Sequence, residues 1–308
     1  METSESLRPL IPNTNDGSRN PPRLRIDIHH GNLAGLPAYH SGPQGEEMVL
    51  RQAAQMAGYE GIQEENPEKG RGLGLRSTGY GRVNTPKEVK PLADRLQAAG
   101  CDCATLHVGW GLESDREIDA LVLEILNASH ERGFPLYVET HRATITQDLW
   151  RTVELTRRFP EIRFNGDFSH WYTGLELVYG DIEEKFRFME PVFQRVRFMH
   201  GRIGTPGCIQ IGIEPDQEDG QSREATYVAH FREMWTRSFQ GFLETAGPGD
   251  YICFTPELLS PDIYYARLVR DERGNKVEES DRWQQALAYS RIAKDCFAKA
   301  EKRMGEKL

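Results

Sequence analysis

The chain has 308 residues, enough for one large domain or two ordinary ones, with a net charge of −9 and a pI of about 5.6. That acidic balance argues against a nucleic-acid backbone as the main partner. No run of about 18 apolar residues occurs, so no membrane span is expected, and five cysteines without a CxxC pair point to a reducing, cytoplasmic setting rather than a disulfide framework.

In chain order, residues 1–22 are polar and rich in Asn, Ser and Pro, and they read as a flexible tail without a signal peptide's apolar stretch. The first β-like run is Leu24 to Ile28, followed by a helical stretch from Glu46 to Gly58 and a second run at Gly61-Ile62-Gln63. A Gly-rich segment, Gly70 to Val83, holds a weak third run at Leu73-Gly74-Leu75. Thr85-Pro86 predicts the start of a helix over Lys87 to Ala99, and Gly100 ends it. The fourth run is Cys103 to Val108. The next helix begins at Ser114 and keeps helical spacing through Ile118, Leu121, Ile125 and Ala128. The fifth run ends at Glu139, the sixth at Asp167, the seventh at His200 and the eighth at Glu257. Helices are expected at Gln147 to Arg158 and over roughly 225–245 and 281–303. Eight strands alternating with helices in this length predict a single-domain (β/α)8 TIM barrel over 23–308. The irregular segment 204–224 is its one long loop, expected to fold over the mouth as a lid or to pack on a second subunit.

Catalytic groups of such barrels stand at the C-terminal ends of the strands. Glu139, Asp167, His200 and Glu257 each follow an apolar run at such an end. Taken singly, Glu139 reads as a partner for Arg142, Asp167 as a helix cap and His200 as a core histidine. Four such groups one βα unit apart instead predict one shared partner, because a buried charge needs compensation. Three carboxylates and an imidazole suit a divalent cation: Mn2+ first, with Mg2+, Co2+ or Zn2+ as alternatives. His170, three residues past Asp167, and Arg202, two past His200, are candidates for holding substrate oxygens. His107 and Trp110, at the end of the fourth run beside Gly109 and Gly111, are candidates for lining a sugar pocket. For His29, His30, Glu64 and Glu65 the structural reading is favoured. No P-loop, HExxH, GxSxG or complete dinucleotide fingerprint is present.

Val138-Glu139-Thr140-His141, Asp167-Phe168-Ser169-His170, Met199-His200-Gly201-Arg202 and Glu257 together resemble the xylose isomerase-like barrel superfamily, in its sugar phosphate isomerase/epimerase branch, over about residues 23–304. The resemblance to its ketose 3-epimerases implies that Glu139, Asp167, His200 and Glu257 bind one metal. It implies further that Glu139 and Glu257 are the acid/base pair acting through a metal-bound cis-enediolate, and that His170 contacts the substrate. In those enzymes an Arg downstream of the metal-binding His does so too. Arg202 stands much closer to that His than the family pattern has it. The expected function is a divalent-metal-dependent sugar isomerase or epimerase acting on a small sugar or sugar derivative. The alternative is a lyase or dehydratase eliminating a β-substituent from a keto-sugar or keto-glycoside. The superfamily's endonucleases use multi-zinc clusters, which nine histidines and a negative charge do not favour. The resemblance also implies dimers or tetramers.

Overall fold

The computed structural model describes residues 10–64, 73–213 and 223–306. Its eight parallel strands are β2 (Arg23–His29), β3 (Gly61–Gln63), β4 (Arg76–Val83), β5 (Ala104–Val108), β6 (Leu136–Glu139), β7 (Phe164–Gly166), β8 (Val196–Gly201) and β9 (Asp250–Pro256). They pair in sequence order, and β9 pairs in parallel with both β8 and β2, which closes the barrel. The protein is a (β/α)8 barrel. Helices α1 (Glu47–Met56), α2 (Pro86–Ala99), α3 (Asp115–Arg132), α4 (Leu149–Arg158), α5 (Ser169–Gly174), α6 (Ile182–Phe193), α7 (Arg223–Leu243) and α8 (Arg282–Gly305) accompany it. Among the described residues, no helix is long and apolar enough to cross a membrane.

Local chemistry sets these boundaries. Thr85 and Ser114 cap α2 and α3 in reciprocal capping boxes with Glu88 and Glu117, and Gly100 and Gly133 end the same helices in the left-handed region. Ile118, Leu121, Val122, Ile125 and Leu126 then form the buried face of α3.

The third strand is not Leu73–Leu75 but β4, Arg76–Val83, a stretch of Arg, Ser, Thr, Gly and Tyr without an apolar run. The reason lies in α2. A Cβ on Gly79 would stand 2.8 Å from the Leu96 side chain, and one on Gly81 would stand 2.7 Å from Leu92. The glycines let the helix lie close on the strand.

The tail expected over 1–22 is corrected for its described part. Thr14–Asn15 forms β1, antiparallel to β9, and Ile11 is fully buried; residues 1–9 lie outside the described residues. The Tyr137 hydroxyl accepts from the Thr14 N–H at 3.0 Å and donates to the Pro12 carbonyl, and Arg197 donates to the Asn13 Oδ1. Buried polar groups of the barrel floor need partners, and this segment provides them.

Above that floor, Arg25 holds Asp27 through two bonds of 2.9 and 2.6 Å and Asp102 through one of 2.6 Å. Arg25→Met would leave Asp27 buried without its partner. A loss of about 3–5 kcal/mol in unfolding free energy is expected from urea melts; a loss below about 1 kcal/mol would show that the pair does not hold the floor together.

Candidate metal centre

The ends of β6, β8 and β9 and the turn after β7 bring Glu139, Asp167, His200 and Glu257 together at the mouth. One ligand atom from each lies within 4.8 Å of all the others. Glu139, Asp167 and His200 are at most 2% exposed and Glu257 is 9% exposed.

The surrounding residues orient each one. His200 Nε2 faces Gln63 Oε1 at 2.8 Å, across the barrel from β3. An amide oxygen only accepts, so Nε2 carries the proton and donates, and Nδ1 is the nitrogen turned to the carboxylates. It stands 3.5 Å from Glu139 and 3.4 Å from Glu257. Asn165 donates to Glu139 Oε2 at 3.0 Å. Ser169 donates its hydroxyl to Asp167 Oδ1 at 2.6 Å, and its N–H reaches the same oxygen. Asp167 thus holds Ser169, the first residue of α5, as well as joining the cluster. Arg202 pairs closely with Asp167 Oδ2 and donates to Glu257 Oε2 at 2.7 Å and to Ser169 Oγ at 3.1 Å.

These charges shift one another. Burial alone would raise Asp167, yet Arg202 and His170 hold it far below the usual carboxylate range. Burial would raise Glu139 too, but His107 and His200 keep it well below. For His200 burial works downward, and Glu257 and Glu139 carry it up to about 9. Burial pushes His29 down to about 4, against the pull of Glu257.

A divalent cation fits these donors. Glu139 Oε1 is buried without a hydrogen-bond partner, the Gln63 bond turns His200 Nδ1, which also lies 3.1 Å from Asn165 Nδ2, toward the carboxylates, where a cation would take the place of its proton, and the remaining carboxylates are held by outer partners, as metal ligands usually are. Three carboxylate oxygens and one imidazole suit a hard or borderline ion.

A second grouping, His107, Glu139 and His141, is about equally compact. It suits a cation less well. Arg82 reaches toward His107 Nδ1 at 3.5 Å, which leaves the proton on Nε2, so the nitrogen turned to Glu139 carries a proton rather than a lone pair.

The other sequence candidates fall as follows. His107 Nε2 lies 3.3 Å from Glu139 Oε1. His170 is buried with both ring nitrogens unpartnered, and its Nε2 is 3.5 Å from Asp167. Trp110 is 54% exposed, with the Arg82 guanidinium 4.0 Å from its ring centroid. Arg202 lies on the carboxylates and keeps Nη1 unpartnered. Of the residues read as structural, Glu64 pairs with Arg51 at 2.6 Å and His30 with Glu47 at 3.1 Å, whereas His29 reaches the site, its Nε2 3.7 Å from Glu257 Oε1. Glu65 lies outside the described residues.

Sequence reasoning missed Gln63, Asn165, His141 and Tyr265. The first two had a signal, an amide inside a short apolar strand. His141 stacks between His107 and His170, with ring centroids 4.2 and 3.7 Å away. Tyr265, in the loop after β9, lies against Arg202 at 4.6 Å, and its hydroxyl is 3.4 Å from His141 Nε2. The residue found over the site therefore comes from the β9–α8 connection. Of the expected lid, Ile209, Ile211 and Ile213 are buried, Gln210 bonds Leu259 and Gln285 bonds Ile213, which ties that stretch to α8 and the β9 loop. Residues 214–222 lie outside the described residues, and α7 begins at Arg223.

No family model matches the sequence, and no curated protein matches it. Solved structures do. They include xylose isomerase-like TIM barrels. One of these, from Mycobacterium smegmatis in complex with magnesium, is 11% identical, with 89% of this chain and 96% of that one covered and a TM-score of 0.49. A xylose isomerase domain protein from Planctomyces limnophilus is 11% identical over 94% of this chain and 99% of its own, with a TM-score of 0.46. The probable 3-DHS dehydratase involved in petrobactin synthesis in Bacillus anthracis is 15% identical over 76% of this chain and 92% of its own, with a TM-score of 0.49. At such values the likeness does not bear on the reaction.

Proposed function

We propose that the protein is a divalent-metal-dependent sugar isomerase or epimerase in which Glu139, Asp167, His200 and Glu257 hold the cation and Glu139 and Glu257 move the substrate proton. A cation of this kind supplies Lewis acidity that makes the carbon between two vicinal substrate oxygens acidic.

The observation that carries the reading is the matched state of the two glutamates. Each has one oxygen fixed by a donor, Asn165 for Glu139 and Arg202 for Glu257. Each has a second oxygen beside a histidine, His107 at 3.3 Å and His29 at 3.7 Å. His29 Nδ1 accepts the Gly31 N–H at 3.0 Å, so in the neutral ring the proton stands on Nε2, facing Glu257. A carboxylate fixed at one oxygen and flanked by a donor at the other can accept a carbon-bound proton and return it. Return to the opposite face of the same carbon is epimerisation. Return to the neighbouring carbon is isomerisation. Loss of a β-substituent instead would make the same pair serve a lyase.

The test incubates the Mn2+-loaded protein in D2O with a panel of keto-sugars and keto-glycosides. Deuterium uptake at the α-carbon without release of a leaving group is expected. Release without uptake would replace this reading by elimination, and neither event on any compound would remove it. In the same assay His170→Ala is expected to raise KM several-fold, since both its ring nitrogens are buried without a hydrogen-bond partner, and to leave the ion content unchanged. Loss of the ion would make His170 part of the metal centre instead.

A further inference from the structure

Between the turn that follows α1 and helix α8 lies a cavity of about 140 Å³. Tyr59, which lines it, stands two residues before β3, so the cavity lies beside the N-terminal ends of the strands, away from the metal centre at their C-terminal ends. Ile26 and Leu287 give it apolar walls, and Ser290, Arg291 and Lys294 follow Leu287 along one stripe of α8. Tyr59 is 4% exposed, and its ring packs edge-on against Trp283 with the centroids 6.0 Å apart. Its hydroxyl is buried without a hydrogen-bond partner. The Ser290 hydroxyl nearby donates to the Ala286 carbonyl at 2.8 Å. A buried hydroxyl left unpaired beside an open space is costly, so it points to an oxygen that arrives with a ligand.

Size and charge narrow the ligand. A cavity of about 150 Å³ takes one benzene ring, so this one holds a single six-membered ring and little more. Its rim is cationic. Arg291 and Lys294 are exposed and form no ion pair among the described residues. The acids that follow Tyr59 and Lys294 in the chain are engaged elsewhere, Glu60 with Arg23 at 2.7 Å and Asp295 with Arg232 at 3.4 Å. We infer that the cavity is a second binding site, independent of the one at the mouth, for a flat ring bearing a hydroxyl at one end and a carboxylate at the other. The ring lies between Ile26 and Leu287, its hydroxyl meets Tyr59, and the carboxylate stays at the rim with Arg291 and Lys294. A guanidinium fork matches the two carboxylate oxygens. Water is the competing occupant: it would pair the Tyr59 hydroxyl too, but it gains nothing from the apolar walls or the rim cations.

The experiment is titration calorimetry of the full chain with 4-hydroxybenzoate, benzoate and 4-hydroxybenzyl alcohol. 4-Hydroxybenzoate is expected to bind with a Kd of about 1 mM or below. It should bind about threefold or more tightly than the neutral alcohol, the range of an ion pair at an exposed rim. Two variants place the site. Tyr59→Phe is expected to weaken 4-hydroxybenzoate about fivefold and to leave benzoate, which has no hydroxyl, unaltered. Because the hydroxyl it removes has no protein partner, the thermal midpoint should not fall. The double variant Arg291→Gln/Lys294→Gln is expected to bring 4-hydroxybenzoate to the affinity of the alcohol. A carboxylate held by an ion at the mouth would be indifferent to all of these substitutions. No binding of 4-hydroxybenzoate at millimolar concentration, which leaves water as the occupant, would overturn the inference. So would an unaltered affinity in either variant, or a lower thermal midpoint for Tyr59→Phe.

Discussion

Extraction of the native protein with a chelator is expected to abolish proton exchange on substrate, and Mn2+, Co2+ or Mg2+ to restore it. Elemental analysis should find one ion per chain. Asp167→Ala should lose that ion, because it removes one of four ligands and also frees Arg202, whose close pair with Asp167 is then broken. Gln63→Leu is the finer probe. It touches no carboxylate of the cluster, yet it removes the acceptor that fixes the His200 tautomer. Loss of such an outer partner commonly weakens metal binding by about 10–100-fold, so the apparent Kd for Mn2+ should rise within that range while the fold, read by circular dichroism, is kept. The assignment fails if rigorously metal-free protein keeps full activity. If Gln63→Leu binds the ion as tightly as the native chain, His200 is not held as a ligand by this bond.

The cluster of Glu139, Asp167, His200 and Glu257 was legible because their positions violate a rule. An acid or imidazole ending an apolar run is out of place unless something holds it, and four such violations shared one register. The barrel was legible for a related reason, since buried parallel strands are apolar and alternate with amphipathic helices. What could not be read has equally definite causes. β4 carries its structure in Gly79 and Gly81, which α2 needs for close approach, so it lacks the apolar signature of its neighbours. The segment 10–22 looks like a solvated tail because its polar atoms are exposed in sequence; only the fold reveals that Tyr137 and Arg197 wait for them. Tyr265 sits between Tyr264 and Ala266 in a loop, and no local pattern ties it to Arg202. Arg202 was expected to hold substrate. In the fold it spans Asp167 and Glu257, which places its charge on the carboxylates and leaves Nη1 without a protein partner.

Glu257→Gln is expected to lower turnover by at least about a hundredfold, the usual contribution of a positioned general base, with the ion largely retained. Glutamine keeps the size and one weak ligand oxygen. It removes the basic oxygen beside His29 and replaces an acceptor of the Arg202 bond with a neutral amide. Glu139→Gln should lower turnover likewise at the other face, with a larger loss of the ion, because the oxygen beside His107 is also the one that would meet the cation. The two variants become informative together when solvent deuterium is followed in the substrate. If each glutamate serves one face of the reacting carbon, each variant should lose one direction of exchange: the proton removed by the surviving glutamate is washed out in D2O and returned by that same residue, so deuterium enters the starting substrate while product formation stops. A single glutamate doing all the work predicts something else, one variant near native and the other silent in both readouts. Near-native turnover in both variants with the ion in place would reduce Glu139 and Glu257 to structural ligands. The proton would then have to be moved by another group at the mouth, and His107, 3.3 Å from Glu139, would be the first to test.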